Sequence, residues 1–551
     1  MSGVVASLLE DAAGFAEANP ALAGALGAPS MDPQVERFRQ GLFYLGDQLR
    51  EQSHRLEGED YRALAELVSP DLSRPIPAAT IVEFSGVDGA VKVPAGLELR
   101  APNGCIFRLV SEVETGPFCV RNARAMQEGL EFELATTGNM PLGEAVANSL
   151  RLYVDGPRES ALALVEHVLR HAAEIHLRVE GARPIKLGSV RPHGFRDALA
   201  PEPDGPPTGA QFLPEYFLLP QKFSFFVVEG IRSALGAARV RKAKISIRFS
   251  APLTAPVTLD SRDLHAHCAP ATNLFRGTSE PRVVDPTLSS FPIRIADFAD
   301  ASVYAVTRVM AAPRTTSSGS SILVPPLHRF AAMSPPSHFP YAYSTQRVTL
   351  RGRTEPDLLL SLSSPRGARP SMDPHVLMLD LWGTNRDRSS ELRPGEPLDH
   401  GEHGLGIALQ ARAVVGASPY VPPPSGAAFA LHALTRAVVP RGDVYASLLS
   451  LIHARLPRRG IEPSLLRANL ARVEAVKTAH VSVVSANNRH GYRASLAIDE
   501  SAFRGIGDVG LFVRVVHAVL DAQASVNRFY ECEVQCRKSG IAVRWPPEQR
   551  Q

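Results

Sequence analysis

Leu264–Asp285 reads LHAHCAPATNLFRGTSEPRVVD, and two structures compete for it. His265, His267 and Cys268 put two imidazoles and a thiol within four residues, a donor set that zinc accepts. Zinc also needs a fourth ligand at a compatible spacing, and neither a CxxC nor an HxxxH pair lies nearby. A strand fits better. The histidines alternate along it, and Pro270, Asn273 and Gly277 then punctuate a turn around the apolar pair Leu274 and Phe275. The stretch is therefore expected to be strand and turn in a β-rich region, without a metal.

The flanks share this texture. From Pro75 onward, short apolar runs such as Thr80–Phe84 and Ile106–Val110 alternate with Gly and Pro, which predicts strands of a sandwich or barrel. Pro157–Arg178 interrupts them with Leu162, Val165, Val168, Leu169 and Ala172 at helical spacing before a strand-like end. Downstream, His375–Trp382 is expected as a buried strand. Ala311–Ser321 and Ser361–Ser371 are expected as long polar loops, and Pro201–Gly209 as a proline-rich connector.

The two ends differ. Near the N-terminus Asp32 is a helix cap with Pro33 at the first helical position, and Val35, Phe38, Leu42, Leu45 and Leu49 follow at intervals of three and four. That stripe is a seam for another helix, and periodicity leaves open whether the partner lies in this chain or another. Further helices are expected before it, from Val4 to Ala16, and after it, from Glu59 to Val68. The last part pairs helices over Val444–Leu456 and Pro463–Val476 with strands at Ala494–Ile498 and Tyr530–Cys536. The fold class is thus α+β and multidomain. An N-terminal helical region at 1–74 precedes a β-rich domain with an inserted helix at 75–260. A central β-rich domain with long loops follows at 261–410, then an α+β domain at 411–551.

Four other stretches invite a chemical reading. The aromatic block Phe212–Phe226, FLPEYFLLPQKFSFF, has Lys222 as its only basic residue, so core or interface suits it better than stacking on nucleic acid. In Arg239–Arg248, Ala243, Ile245 and Ile247 alternate with Lys242, Lys244, Ser246 and Arg248, a strand with one solvated face. DHGEH at 399–403 reads as a glycine-containing surface turn rather than a metal site. Gly505, Gly507 and Gly510 spell GxGxxG before the apolar helix Leu511–Leu520. No apolar strand immediately precedes them and no ribose-binding acid follows about twenty residues later, so a glycine-rich entry to a packed helix is expected.

The 551 residues carry 59 Lys and Arg against 56 Asp and Glu, a net charge of +3 that calls for neither nucleic acid nor an anionic membrane. Five cysteines form an odd set without framework spacing, which fits reduced thiols in the cytoplasm. No apolar run approaches the ~20 residues of a membrane helix, and the N-terminus lacks an export signal. No catalytic, cofactor or metal residue is assigned.

Six blocks in order resemble the TssF family of type VI secretion baseplate proteins. They are MDPQVERFRQGLFYLGDQL (31–49), LSRPIP (72–77), FLPEYFLLPQKFSFF (212–226), CAPATNLF (268–275), WGTNRD (382–387) and AFRGIGDVGLF (502–512). Gly383 stands where a cysteine is common in the family. The resemblance implies a non-enzymatic wedge subunit of a cytoplasmic baseplate docked at the inner face of the cell envelope. It implies TssG, a second TssF copy, TssE, TssK and the VgrG spike as partners, with no nucleic acid and no insertion into the membrane. Val35, Phe38, Leu42, Leu45 and Leu49 are the expected partner interface. The wedge of a phage-like injection particle and a nucleotide-binding enzyme remain the alternatives.

Overall fold

In a computed structural model of the protein, the described residues are 73–200, 211–313, 321–327, 341–348, 355–363, 375–401, 409–423, 476–486, 489–522 and 529–545, less a few short gaps within them. The helices expected over 4–16, 33–57, 59–68 and 444–456 lie outside these residues, as does the connector 201–209; of the helix expected over 463–476 only Val476 is described, and it opens the strand Val476–Ala486.

A six-stranded sheet organises the rest. Its order runs Pro397–Leu398, Gln410–Ala413, Ala79–Ser85, Cys268–Thr272, Ile106–Leu109, Glu98–Arg100. Every residue of Cys268–Thr272 is buried, because this strand has neighbours on both edges and apolar packing on both faces. The strand expected in the middle of the quoted stretch is therefore present and central. Its neighbours are Ala79–Ser85 and Ile106–Leu109, and Gln410–Ala413 pairs with the far edge of Ala79–Ser85, so the sheet draws strands from both sides of the boundaries expected after 260 and 410.

A five-stranded sheet holds the basic strand. Lys242–Phe249 alternates as read from sequence, with Ala243, Ile245, Ile247 and Phe249 buried. Its outer face pairs Lys244 with Glu131 at 2.6 Å. Helix α1 (Arg158–His171) covers this sheet with Ala161, Leu164, Val165 and Val168, and passes directly into the strand Ala172–Arg178, as expected. Glu159 in its first turn and Arg170 with His171 in its last suit the helix dipole.

The aromatic block forms helix α2 (Phe212–Leu218), a short 3-10 turn, and the strand Phe225–Glu229. Every residue of α2 is buried. Helix α3 (Ile506–Ala522) links two parallel strands, Arg489–Ile498 and Tyr530–Cys536, in a four-stranded C-terminal sheet. It starts five residues before the expected Leu511 because Gly507 and Gly510 lie inside it. Glycine disfavours a helix interior, and packing overrides that preference here. The apolar faces of α2 and α3 share one core with Leu162 of α1. α1 thereby joins the core beneath the five-stranded sheet to that of the C-terminal sheet.

The expectation of a buried strand at His375–Trp382 needs correction. In His375–Thr384 only Leu377, Leu379, Leu381, Gly383 and Thr384 are buried, while Met378 is 42% exposed and Asp380 pairs with Arg308 at 2.7 Å. Asp380 interrupts the apolar run, its inward side is a period-two leucine stripe, and Met378 and Asp380 lie on the opposite, less covered face. Ala311 and Ser361, where loops were expected to begin, are still strand.

Candidate functional site

The blocks that looked chemical meet one another inside the fold. Asn273 is fully buried, and its amide is saturated. Nδ2 donates to the Ile106 carbonyl at 2.7 Å and to Asn385 Oδ1 at 2.8 Å. Oδ1 accepts from Thr384 Oγ1 at 2.8 Å and from the Asn385 backbone N–H at 2.7 Å. Asn385 Oδ1 in turn accepts from the Ile106 N–H at 3.0 Å. Two of the blocks, 268–275 and 382–387, thus clamp a third strand. Beside them Arg108 lies over the Trp382 ring at 4.8 Å. A Cβ at Gly383 would come within 2.4 Å of Ile295 and 2.8 Å of Phe275, so those side chains fill the space that a larger residue needs.

A second joint ties 212–226 to 502–512. Tyr216 donates to Asp508 Oδ1 at 2.7 Å, Arg504 N–H donates to Oδ2 at 3.1 Å, and Arg158 stands 3.7 Å from the same carboxylate. Next to it Glu215 accepts from the Leu199 N–H at 2.6 Å and forms an ion pair with Lys222. Lys222 has no exposed surface and sits 4.8 Å and 5.3 Å from the centroids of the Phe212 and Phe223 rings. Burial lowers its pKa while Glu215 opposes that shift. Sequence reading missed this pair, having noted Lys222 only as the one basic residue of a block expected to be core or interface. A lysine and a glutamate embedded in six aromatics was the available signal.

The glycine pattern serves helix contact. A Cβ at Gly507 would fall 2.4 Å from Ala163 N, and one at Gly510 would fall 2.6 Å from the Glu166 side chain. Asp508 places a buried carboxylate in the first turn of α3, where a phosphate would have to bind. Gly507→Ala is expected to destabilise the α1–α3 contact by about 1–3 kcal/mol through overpacking. Hydrogen exchange of α3 amides checks this, and exchange equal to that of the parent chain would refute it.

The metal-like residues are split. His267, with φ 59°, turns away, bonds to the Phe118 carbonyl through Nε2 at 3.0 Å and packs edge-on against the Phe118 ring. Glu83 takes its place, so that Glu83, His265 and Cys268 offer ligand atoms within 4.8 Å of one another. This trio fits a metal poorly. His265 Nδ1 is 2.9 Å from Glu83 Oε1, and Arg412 donates to Oε2 at 2.8 and 2.6 Å, which commits both oxygens. Burial pushes the Cys268 thiol well above its ordinary pKa, favouring the protonated form. In the other candidate, Asp399 accepts from the Gly401 N–H at 3.0 Å in a tight turn and His400 bonds to the Leu409 carbonyl at 3.0 Å; 402–408 lie outside the described residues. Elemental analysis of purified protein is expected to find no stoichiometric zinc, and nicotinamide or adenine nucleotides to leave its melting point unchanged. Zinc at one atom per chain would overturn this expectation.

Val35, Phe38, Leu42, Leu45 and Leu49 lie outside the described residues. Among those described, no helix is long and apolar enough to cross a membrane.

Motif residues spent on joints between sheets, with carboxylates and amides already satisfied, define a structural scaffold. The family model described as "Type VI secretion system, TssF" matches residues 5–551. The chain belongs to the TssF family. It is 25% identical over 619 aligned positions to the type VI secretion system component TssF1 of Pseudomonas aeruginosa, covering 97% of this chain and 96% of that protein. A solved structure of the type VI secretion TssK–TssF–TssG baseplate subcomplex contains a chain of the same fold, with TM-score 0.74 and 22% identity over 94% of this chain and 99% of that one. A chain in a solved type VI secretion baseplate complex matches at TM-score 0.57 and 19% identity, covering 100% of this chain and 98% of that one.

Proposed function

We propose that this protein is a structural subunit of a type VI secretion baseplate wedge, assembling in the cytoplasm with TssK and TssG as part of the platform for sheath and tube. Similarity along the whole chain carries this reading: the family match spans 5–551, and the fold shared with the chain of the TssK–TssF–TssG subcomplex covers 94% of the protein. A second copy of the chain, TssE and the VgrG spike complete the proposed neighbourhood, and docking at the inner face of the envelope its place; both follow from the family resemblance.

Coexpression tests it. With TssG and TssK of the same genome the chain is expected to purify as a discrete complex, and alone to self-associate. A well-behaved monomer that ignores TssG in pulldown would defeat the proposal. The stripe Val35, Phe38, Leu42, Leu45 and Leu49 is the proposed contact. Burying one leucine is worth about 1.5–3 kcal/mol and a buried unpaired carboxylate costs several more, enough to empty a micromolar interface. Leu45→Asp and Leu49→Asp are expected to remove TssG from the pulldown while leaving circular dichroism and protease resistance unchanged. Early melting of both variants without the partner would place the stripe inside the chain's own core instead.

A further inference from the structure

Arg151 and Arg191 occupy the same row of a four-stranded sheet, each directly opposite Val227 on the strand between them. Residues in such a row share one face, about two strand spacings or 10 Å apart. Arg191 is neutralised by Glu229. Arg151 is not: its Nη1 donates to Ser111 Oγ at 3.2 Å, and no carboxylate among the described residues forms an ion pair with it. Asp197 and Glu112 act on it only through space, Arg191 repels it, and burial disfavours its charge. A guanidinium cannot shed its proton to escape that cost.

Both arginines line a cavity of about 210 Å³, together with His193, His267, Glu112 and Glu114. His267 is committed through Nε2–H to the Phe118 carbonyl at 3.0 Å, so its neutral ring presents Nδ1 as an acceptor and offers no further donor. Glu112 is drawn off by Lys92 at 2.8 Å. The cavity therefore holds an arginine cation without an ion-pair partner among the described residues.

We propose that this cavity is an oxyanion site, in which Arg151 donates to a carboxylate or phosphate oxygen and the imidazoles of His193 and His267 line the same pocket. A planar fork suits either anion bidentately. The anion has two possible sources, free phosphate or an acidic side chain of a bound protein, and one substitution separates them.

Arg151→Met keeps the aliphatic stem and removes the charge. In chloride the variant is expected to melt no more than about 1 °C below the parent, because burial disfavours the unpaired charge and its removal takes no ion pair away. Inorganic phosphate or acetate at matched ionic strength is expected to raise the parent's midpoint by about 2 °C or more, and to leave the variant's unchanged. A phosphate effect exceeding that of acetate, with TssG and TssK captured equally by parent and variant, assigns the site to free phosphate. At least tenfold weaker capture by the variant, with both anions competing against capture by the parent, assigns it to a partner's carboxylate. The proposal fails if neither anion shifts the parent and capture is unchanged, or if Arg151→Met melts early in chloride. The anion titration needs no partner, so it stands or falls separately from the baseplate assignment.

Discussion

Glu215→Ala is expected to destabilise the core between α2 and α3 by about 3–5 kcal/mol, because it leaves the buried ammonium of Lys222 without its ion-pair partner, with Asp197 acting on it only through space. Lys222 has no exposed surface and two phenyl rings beside it, so no side-chain rotation restores its hydration. The same change strips the Leu199 N–H of its acceptor. Lys222 can limit the loss by giving up its proton, a step that burial already favours. Glu215→Gln combined with Lys222→Met should recover most of the stability, since a buried ion pair replaced by neutral groups of similar volume is often no worse than the original. Hydrogen exchange through residues 212–223 measures the local free energy directly. A single variant within about 1 kcal/mol of the parent, or a double variant no better than the single, would show that the pair is not isolated from water.

Asn273→Ala is expected to cost about 3 kcal/mol or more. Removing one side chain orphans the buried Thr384 hydroxyl, the Ile106 carbonyl and the Asn385 N–H together, and each unsatisfied group costs about 1–3 kcal/mol. Asn273→Asp separates hydrogen bonding from volume. It keeps the shape but sets a carboxylate oxygen against Asn385 Oδ1 and the Ile106 carbonyl, so it should be at least as damaging as alanine. Faster exchange of the Ile106 and Asn385 amides should accompany the fall in melting point. If Asn273→Asp melts with the parent, water has reached the joint and the clamp reading is wrong.

These two joints mark where sequence reading stopped. Strand identity was legible wherever burial is one-sided, as in Lys242–Phe249, because alternation is a local property. Helix α1 followed by its strand was legible for the same reason. Asn273 was visible only as a turn residue, since its partners lie 112 and 167 residues away, and no local pattern encodes a contact at that separation. The three-ligand trio was hidden likewise: Glu83 is 182 residues from His265, while His267, the obvious third ligand by spacing, points elsewhere because of its left-handed backbone. Arg151 carried no signal at all. A single arginine in a strand is ordinary, and only the cross-strand register that sets it level with Arg191 makes it a candidate.

The six-stranded sheet also fixes a schedule for synthesis. Its Ala79–Ser85 strand must wait for Gln410–Ala413, and the Glu83 carboxylate for an arginine 329 residues further along. At about 5–20 residues per second, the ribosome leaves that strand edge open for roughly 15–70 s. Pairings of such long separation are slow to form, and an open edge recruits other strands in the meantime. Nascent chains released before residue 410 should therefore accumulate as insoluble or proteolysed fragments, with the burden on the cell's holding chaperones greatest during translation of the middle third of the message.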